Sequence, residues 1–197
     1  MKAGHVRVKE KMWAENFGPI ARLLQFSKHL KNSRRHLDFG CGTGIFLRHL
    51  AEAYPDKEFI GFDIDEEKLA AARSRYSLPN ITFTNQLEGT YDSVSLMYVI
   101  HDIEEHPERV LAQISDHMDP KSLENMFLVL EFKRTTEKRF RPFYETERVE
   151  EPFETYYARH NRWTEQEFEV HCKAVGFETL TLELYKDFWF GYVGKKE

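Results

Sequence analysis

The stretch HLDFGCGTG, residues 36–44, decides the fold that this sequence predicts. It reads as a short buried strand, His36–Phe39, that runs into three glycines and then into an apolar helix face. Glycines at such a turn let a ligand approach the backbone, and the following helix offers free N–H groups. The spacing is G-x-G-x-G, whereas dinucleotide-binding turns use G-x-G-x-x-G to seat a pyrophosphate. Bulky Ile45 and Phe46, where the third dinucleotide glycine could fall, argue against a pyrophosphate site.

Strand and helix patterns alternate on the C-terminal side of this turn. Further strands are predicted at 58–63, 81–84, 91–100 and 126–132, and helices after the turn, at 65–75 and at 107–118. A capping box of Thr164 and Glu167 predicts a last helix to Val175, and two adjoining strands, 177–184 and 187–193, follow it. The sequence therefore predicts an α/β fold with a doubly wound, mostly parallel seven-stranded sheet and an antiparallel C-terminal hairpin.

Two segments do not fit this alternation. Residues 8–31 carry apolar residues at helical spacing, which predicts N-terminal helices. Residues 133–163 are polar with scattered aromatics, and long irregular insertions of this kind are usually lids or disordered segments. Because the aromatic content argues against disorder, we expect a lid. The expected organisation is a single domain, 1–197, comprising a helical arm (1–32), a cofactor-binding core (33–132), a lid (133–163), and a helix with the terminal hairpin (164–197).

Composition narrows the setting of the protein. No apolar run is long enough to span a bilayer, so no membrane partner is expected, and residues 1–11 do not read as a secretory signal. Two cysteines, Cys41 and Cys172, without metal-ligand spacing predict neither a disulfide framework nor a metal site, and they favour a cytoplasmic protein. Residues 1–35 hold nine Lys or Arg and two Asp or Glu. This basic segment is either a solvated helix face or a surface that attracts an acidic metabolite or RNA.

Residues 36–44 resemble motif I of the class I (Rossmann-like) S-adenosylmethionine-dependent methyltransferases. The stretch FIGFDID, residues 59–65, resembles the second motif of that family, and the order of elements is similar over roughly 33–194. The resemblance implies S-adenosylmethionine as the cofactor and transfer of its methyl group to another molecule. After strand four there is neither an Asn/Asp-Pro-Pro-Tyr/Phe motif nor a Pro-Cys pair. The small-molecule branch of the family is therefore the expected one, with an acceptor that the sequence does not name.

The resemblance also implies roles for individual residues in the cofactor site. Asp38 matches the acid that meets the ammonium of the methionine part, and Asp63 matches the acid that accepts both ribose hydroxyls. The other implied contacts are Gly40 and Gly42 through the backbone, Ile64 against adenine, and Met97 and Tyr98 beside the methionine moiety. Where the family usually carries an acid for the adenine amino group, this sequence has Asn85 and Gln86, and Gln86 is the expected substitute.

Candidates for the acceptor site lie after strands four and five and in the lid. His101 follows strand four in a segment that resembles the family's, and an imidazole there could act as a general base; Glu131, near the end of strand five, is the second candidate. The expected substrate-binding residues are Trp13, Phe17, Tyr156, Tyr157 and His160. A packing role competes with each of these assignments.

The sequence is compatible with two other functions. The basic arm could direct the enzyme to RNA or protein, although no separate nucleic-acid module is visible and this partner is not favoured. The domain could also bind S-adenosylmethionine without catalysis. A nicotinamide dehydrogenase is disfavoured by the glycine spacing, and the sequence does not predict the oligomeric state.

Overall fold

A computed structural model of the chain describes residues 30–103, 106–119, 121–122, 126–132, 134–147, 150–185 and 188–195. The predicted N-terminal helices, with Trp13 and Phe17, lie outside these residues. The strands are β1 Arg35–Phe39, β2 Glu58–Phe62, β3 Ile81–Thr84, β4 Ser93–Met97, β5 Met126–Phe132, β6 Phe177–Tyr185 and β7 Phe188–Lys195. The helices are α1 Ile45–Ala53, α2 Glu66–Arg75, α3 Pro107–Asp116, α4 Glu137–Glu147, α5 Phe153–His160 and α6 Glu165–Ala174, with a 3-10 turn at Ile100–Asp102.

The strands form one sheet in the order β3-β2-β1-β4-β5-β7-β6. The first five are parallel, and β7 pairs antiparallel with both β5 and β6. Because β1 lies between β2 and β4, the strand order reverses there, and ligands of open α/β sheets bind outside the carboxyl ends of the strands at such a point. The predicted α/β class with a parallel sheet is confirmed.

Helices cover both faces of the sheet. On one face, α1 and α2 bury Leu47 and Leu69 against β2. On the other face, α3 and α6 bury Ile114 and Phe168 against the central strands. Burial on both faces explains why β2 reads as an apolar run after Glu58, without the polar alternation of a half-exposed strand.

Two helices begin at the capping residues that the sequence predicted. Asp65 is the N-cap of α2, since its carboxylate accepts the Glu67 and Lys68 backbone N–H groups. The predicted capping box of α6 is present, with Thr164 and Glu167 bonded reciprocally.

The prediction of a fourth strand over 91–100 was wrong at both ends. The strand proper is Ser93–Met97, and Tyr91 makes only an isolated bridge to Met118. Tyr98 has φ = 60°, in the left-handed region, so the extended backbone stops at Met97 and turns into the 3-10 segment.

The prediction of an irregular segment over 133–163 was also wrong, because two helices, α4 and α5, occupy most of it. Their aromatic side chains form a cluster of their own around Phe140, Phe153 and Tyr156. The ends of the segment meet, since Thr135 N–H donates to Asn161 Oδ1 (2.6 Å). The insertion is thus a closed helical unit.

Within the described part of the chain, no helix combines the length and apolarity needed to cross a membrane.

Candidate functional site

A cavity of about 570 Å³ opens at the carboxyl ends of β1, β2 and β4. Its volume is in the usual range for small-molecule sites. Seven of the predicted cofactor residues line it: Asp38, Gly40, Gly42, Asp63, Ile64, Met97 and Tyr98. The cavity therefore lies at the reversal of strand order and joins both sequence motifs.

Asp38 is the buried acid of β1 that lines this cavity. It is the fourth residue of β1 and is 1% exposed, and the Ser95 hydroxyl donates to its Oδ1 (2.7 Å). Burial raises the pKa of Asp38 to about 7; the Ser95 hydrogen bond opposes this rise and the neighbouring Asp63 adds to it. A carboxylate in this position favours a cationic partner.

Asp63 lies at the end of the adjacent strand and is held by the backbone on both sides. Its Oδ2 accepts the Gly42 N–H (2.8 Å) and its Oδ1 accepts the Asp65 N–H (2.9 Å). Each carboxylate oxygen has a second lone pair, so the group can still accept two further donors from a ligand. The two backbone bonds fix the carboxylate before any ligand arrives.

The glycine turn connects these two carboxylates. Gly40 and Gly42 have φ = 76° and 55°, a region that side chains rarely adopt. A Cβ on Gly40 would lie 2.6 Å from Val99 Cγ2, whereas a Cβ on Gly42 would meet nothing within 4 Å. Gly40 is therefore required by packing, and Gly42 leaves open space in which a ligand can lie against the backbone.

The mouth of the cavity has an apolar side. Ile64 is 88% exposed there, which is unusual for a large aliphatic side chain. Val110 and Gln113, from α3, line the same cavity, and the sequence did not point to them. Gln86, the expected adenine contact, is exposed and is not among the described lining residues; its backbone N–H donates to Thr84 Oγ1.

A second group of polar residues lies where β4 continues into the 3-10 turn. Asp102 lines the cavity, and its Oδ1 is 3.5 Å from His101 Nε2 and accepts from Arg159 of α5. His101 is buried and stacks on His160, with ring centroids 4.1 Å apart and 24° between the ring planes. The insertion is thus fastened to the rim of the cavity by an ion pair and a stacked pair.

His101 itself is not among the described residues that line the cavity, and neither are the predicted acceptor residues Tyr156, Tyr157 and His160. Tyr156 and His160 are buried, and the Tyr157 hydroxyl donates to the Thr135 carbonyl oxygen (2.6 Å). All three side chains pack against other residues of the insertion, and His160 also stacks on His101. The reason is that the aromatic face of α5 points toward α4. Glu131 belongs to β5, opposite Trp189 in β7. No group of three or more His, Cys, Asp or Glu able to hold a metal occurs among the described residues.

The model of a family of methyltransferase domains matches residues 12–182. The chain belongs to this methyltransferase family. The resemblance seen in its sequence is confirmed, and the cofactor of the family is S-adenosylmethionine, as predicted. This methyltransferase domain is 32% identical over 88 residues to the trans-aconitate 2-methyltransferase of Deinococcus radiodurans, covering 43% of this chain and 33% of that protein.

Another relative is the tRNA (guanine-N(7)-)-methyltransferase of Brevibacillus brevis, 32% identical over 109 residues that cover 53% of this domain and 41% of that protein. The domain spans less than half the length of the curated relatives it matches. Its fold is similar to the crystal structure of the plantazolicin methyltransferase BpumL in complex with a triazolic desmethylPZN analog and SAH. That match has a TM-score of 0.68 and 16% identity, and it covers 100% of this chain and 92% of the other.

Proposed function

We propose that this domain transfers the methyl group of S-adenosylmethionine to a small-molecule acceptor. The observation that carries the proposal is the pair of buried carboxylates, Asp38 and Asp63, on adjacent strand ends on either side of an open glycine turn. The two acids face one cavity, so a single ligand can meet both.

The residues of the cavity fit this cofactor in their chemistry. Asp38 offers a negative charge to the methionine ammonium, and Asp63 offers free lone pairs to the two ribose hydroxyls. The open space at Gly42 accommodates the chain between these two ends. Exposed Ile64 supplies an apolar surface that an adenine ring would cover. Because Gln113 lines the cavity and Gln86 is not among its described lining residues, we take Gln113 as the candidate polar partner of the adenine.

The chemistry asks the protein mainly for positioning. When bound, S-adenosylmethionine supplies a methyl group on a sulfonium, which an acceptor attacks in line. Tyr98, in its left-handed conformation at the end of β4, borders the region next to Asp38. Holding the two partners in line is worth several orders of magnitude in rate. A base is needed only if the acceptor carries a proton, and the predicted role of His101 rests on its place beside Asp102.

The acceptor is proposed to be small because the helical insertion packs directly on the rim of the cavity. Arg159 bridges Asp102 and Glu151, and the Trp163 indole donates to the Ile103 carbonyl oxygen (3.3 Å). A cover fastened at several points suits a compact acceptor. The name of the trans-aconitate relative supports the same class. Trp13 and Phe17 are still predicted to form the rest of the wall of this site.

The experiment that tests the proposal incubates the protein with isotope-labelled S-adenosylmethionine and fractionated cell extract. We expect label in a small-molecule product, together with calorimetric binding of S-adenosylhomocysteine and no binding of NAD. Label in RNA, with an affinity that falls steeply with salt, would instead support the alternative suggested by the tRNA methyltransferase relative. Binding of the cofactor without labelled product would support a non-catalytic domain. A cytoplasmic location remains a prediction from the cysteine content.

A further inference from the structure

A chain of buried polar side chains runs through the sheet and ends at Asp38. Ser33 Oγ lies 2.7 Å from Ser93 Oγ, and Ser93 Oγ lies 2.8 Å from His36 Nδ1. His36 Nε2 lies 3.0 Å from Ser95 Oγ, which donates to Asp38 Oδ1. All five residues are at most 2% exposed. Apolar residues would be the ordinary choice at these positions, because buried polar groups cost free energy unless they are bonded.

The register of two parallel strands creates this chain. His36 is opposite Ser93 and Asp38 is opposite Ser95 in the pairing of β1 with β4. Residues two apart in a strand share a face, so His36 lies between the two serines. The imidazole packs edge-on against Phe59 of β2.

The donors of the chain are fixed from one end to the other. Ser95 has one hydroxyl proton and donates it to Asp38, so its oxygen must accept from His36 Nε2–H. His36 is neutral, since burial lowers its pKa to about 3, and its Nδ1 is then an acceptor. Ser93 donates to that nitrogen, and Ser33 donates to Ser93. Every proton in the chain therefore points toward Asp38, and aligned hydrogen bonds of this kind strengthen one another.

We propose that His36 is a positioning residue which acts through Ser95 to orient the Asp38 carboxylate and hold it ionised for a cationic ligand group. The inference rests on the proposed function, since that group is the ammonium of the cofactor. One Asp38 oxygen is held by Ser95, which leaves the other for the ligand.

The groups around Asp38 include a like charge, which disfavours the ionised form of its carboxyl group. Asp63, at the end of β2, faces Asp38 with a like charge, and the Cys41 thiol of the glycine turn lies nearby. From the remaining elements, Lys68 of α2 and Asp102 of the 3-10 turn line the same cavity. Burial and Asp63 both favour the protonated acid, and the Ser95 hydrogen bond, at the end of the series of hydrogen bonds, opposes them.

The test is the pH profile of S-adenosylhomocysteine binding, measured by calorimetry between pH 5.5 and 9. In the wild type, affinity should fall about tenfold per pH unit below a midpoint near 7, as Asp38 protonates. Ser95→Ala should move the midpoint up by about one to two units, the worth of a hydrogen bond to a charged group. His36→Leu should move it up by about half a unit, because Ser95 keeps its own bond but loses polarisation.

Two variants serve as controls. His36→Gln can donate to Ser95 and accept from Ser93, so it should restore the wild-type midpoint. Ser115→Ala removes a buried hydroxyl on α3, away from Asp38, and should leave the profile unchanged. A midpoint that stays at the wild-type value in either Ser95→Ala or His36→Leu would overturn the proposal, as would a loss of affinity that is equal at every pH. If the wild type binds no S-adenosylhomocysteine at any pH, the proposed function fails instead.

A second measurement needs no ligand and no variant. The ¹⁵N chemical shifts of the His36 ring at pH 7 should show a neutral imidazole protonated on Nε2. A ring protonated on Nδ1, or a cationic ring, would overturn the inferred direction of the chain.

Discussion

The Asp63 carboxylate offers the sharpest test of the proposal that the two acids of the cavity bind different parts of the cofactor. Asp63→Ala removes the proposed acceptor for both ribose hydroxyls and also leaves the Gly42 N–H without its carboxylate partner. Hydrogen bonds to a charged group give an expected loss of roughly 1.5–3 kcal/mol, or about 10- to 150-fold in affinity. Asp63 is 7% exposed and its position is fixed by two backbone bonds, so the loss should lie in the upper half of this range.

The assay is calorimetric titration with S-adenosylhomocysteine, adenosine and methionine as separate ligands. Asp63→Ala should weaken adenosine and S-adenosylhomocysteine by the same factor and leave methionine unchanged. Asp38→Asn should do the reverse, weakening methionine and sparing adenosine. Asp65→Ala is the matched control, because this neighbouring acid caps α2; it should cost about 1 kcal/mol of stability without changing affinity.

The assignment of the ribose to Asp63 and of the ammonium to Asp38 is wrong if adenosine binds Asp63→Ala as tightly as it binds the wild type. It also fails if both acid variants weaken both fragments equally, since that pattern would mean a general collapse of the turn.

Four further outcomes follow from the structure. Gly40→Ala and Gly42→Ala should both lower the unfolding midpoint, because both glycines have positive φ, and Gly40→Ala should lower it more, because its Cβ would collide with Val99. Gly42→Ala should in addition lower cofactor affinity in calorimetry, because Gly42 lines the cavity. Arg159→Ala should raise the acceptor KM by roughly three- to tenfold in steady-state kinetics and leave cofactor affinity unchanged, since it releases the insertion from Asp102. If the acceptor carries a proton, His101→Asn should cost about 10²–10⁴-fold in turnover and remove the acidic limb of the pH–rate profile; a limb that persists would exclude His101 as the base. In urea unfolding, the free energy of unfolding of His36→Leu minus that of the wild type should decrease as pH rises from about 4 to 6.5, by up to about 1.4 kcal/mol per pH unit. At low pH the wild type is destabilised because His36 binds a proton in the unfolded state but not in the folded state, and this penalty disappears as pH rises toward the unfolded pKa.

Most residues that line the cavity could be predicted because recognisable motifs carry them at the carboxyl ends of neighbouring strands. Asp38 and Gly42 belong to one motif and Asp63 follows the next strand, so the motifs and the sheet topology together placed them at one cavity. Val110 and Gln113 could not be found in this way, since α3 reaches the cavity only through tertiary packing. For the same reason the sequence did not reveal the series of hydrogen bonds through His36, whose partners are 57 and 59 residues away.

The two helices of the insertion were not predicted although a usable signal for one of them was present. Phe153, Tyr156, Tyr157 and His160 are spaced i, i+3, i+4 and i+7, which is one face of a helix. Read as scattered aromatics, they suggested the wall of an acceptor pocket; in the structure Tyr156 and His160 are buried against α4 and the 3-10 turn. The early end of β4 had no such signal, because the left-handed Tyr98 is set by its surroundings and not by residue type.

A crystal structure of the protein with S-adenosylhomocysteine tests the assignment of the cavity most directly. We predict both ribose hydroxyls within hydrogen-bond distance of the Asp63 carboxylate, the ammonium at the free oxygen of Asp38, and the adenine against Ile64. Density for the ligand elsewhere, or a ribose that does not meet Asp63, would contradict the assignment.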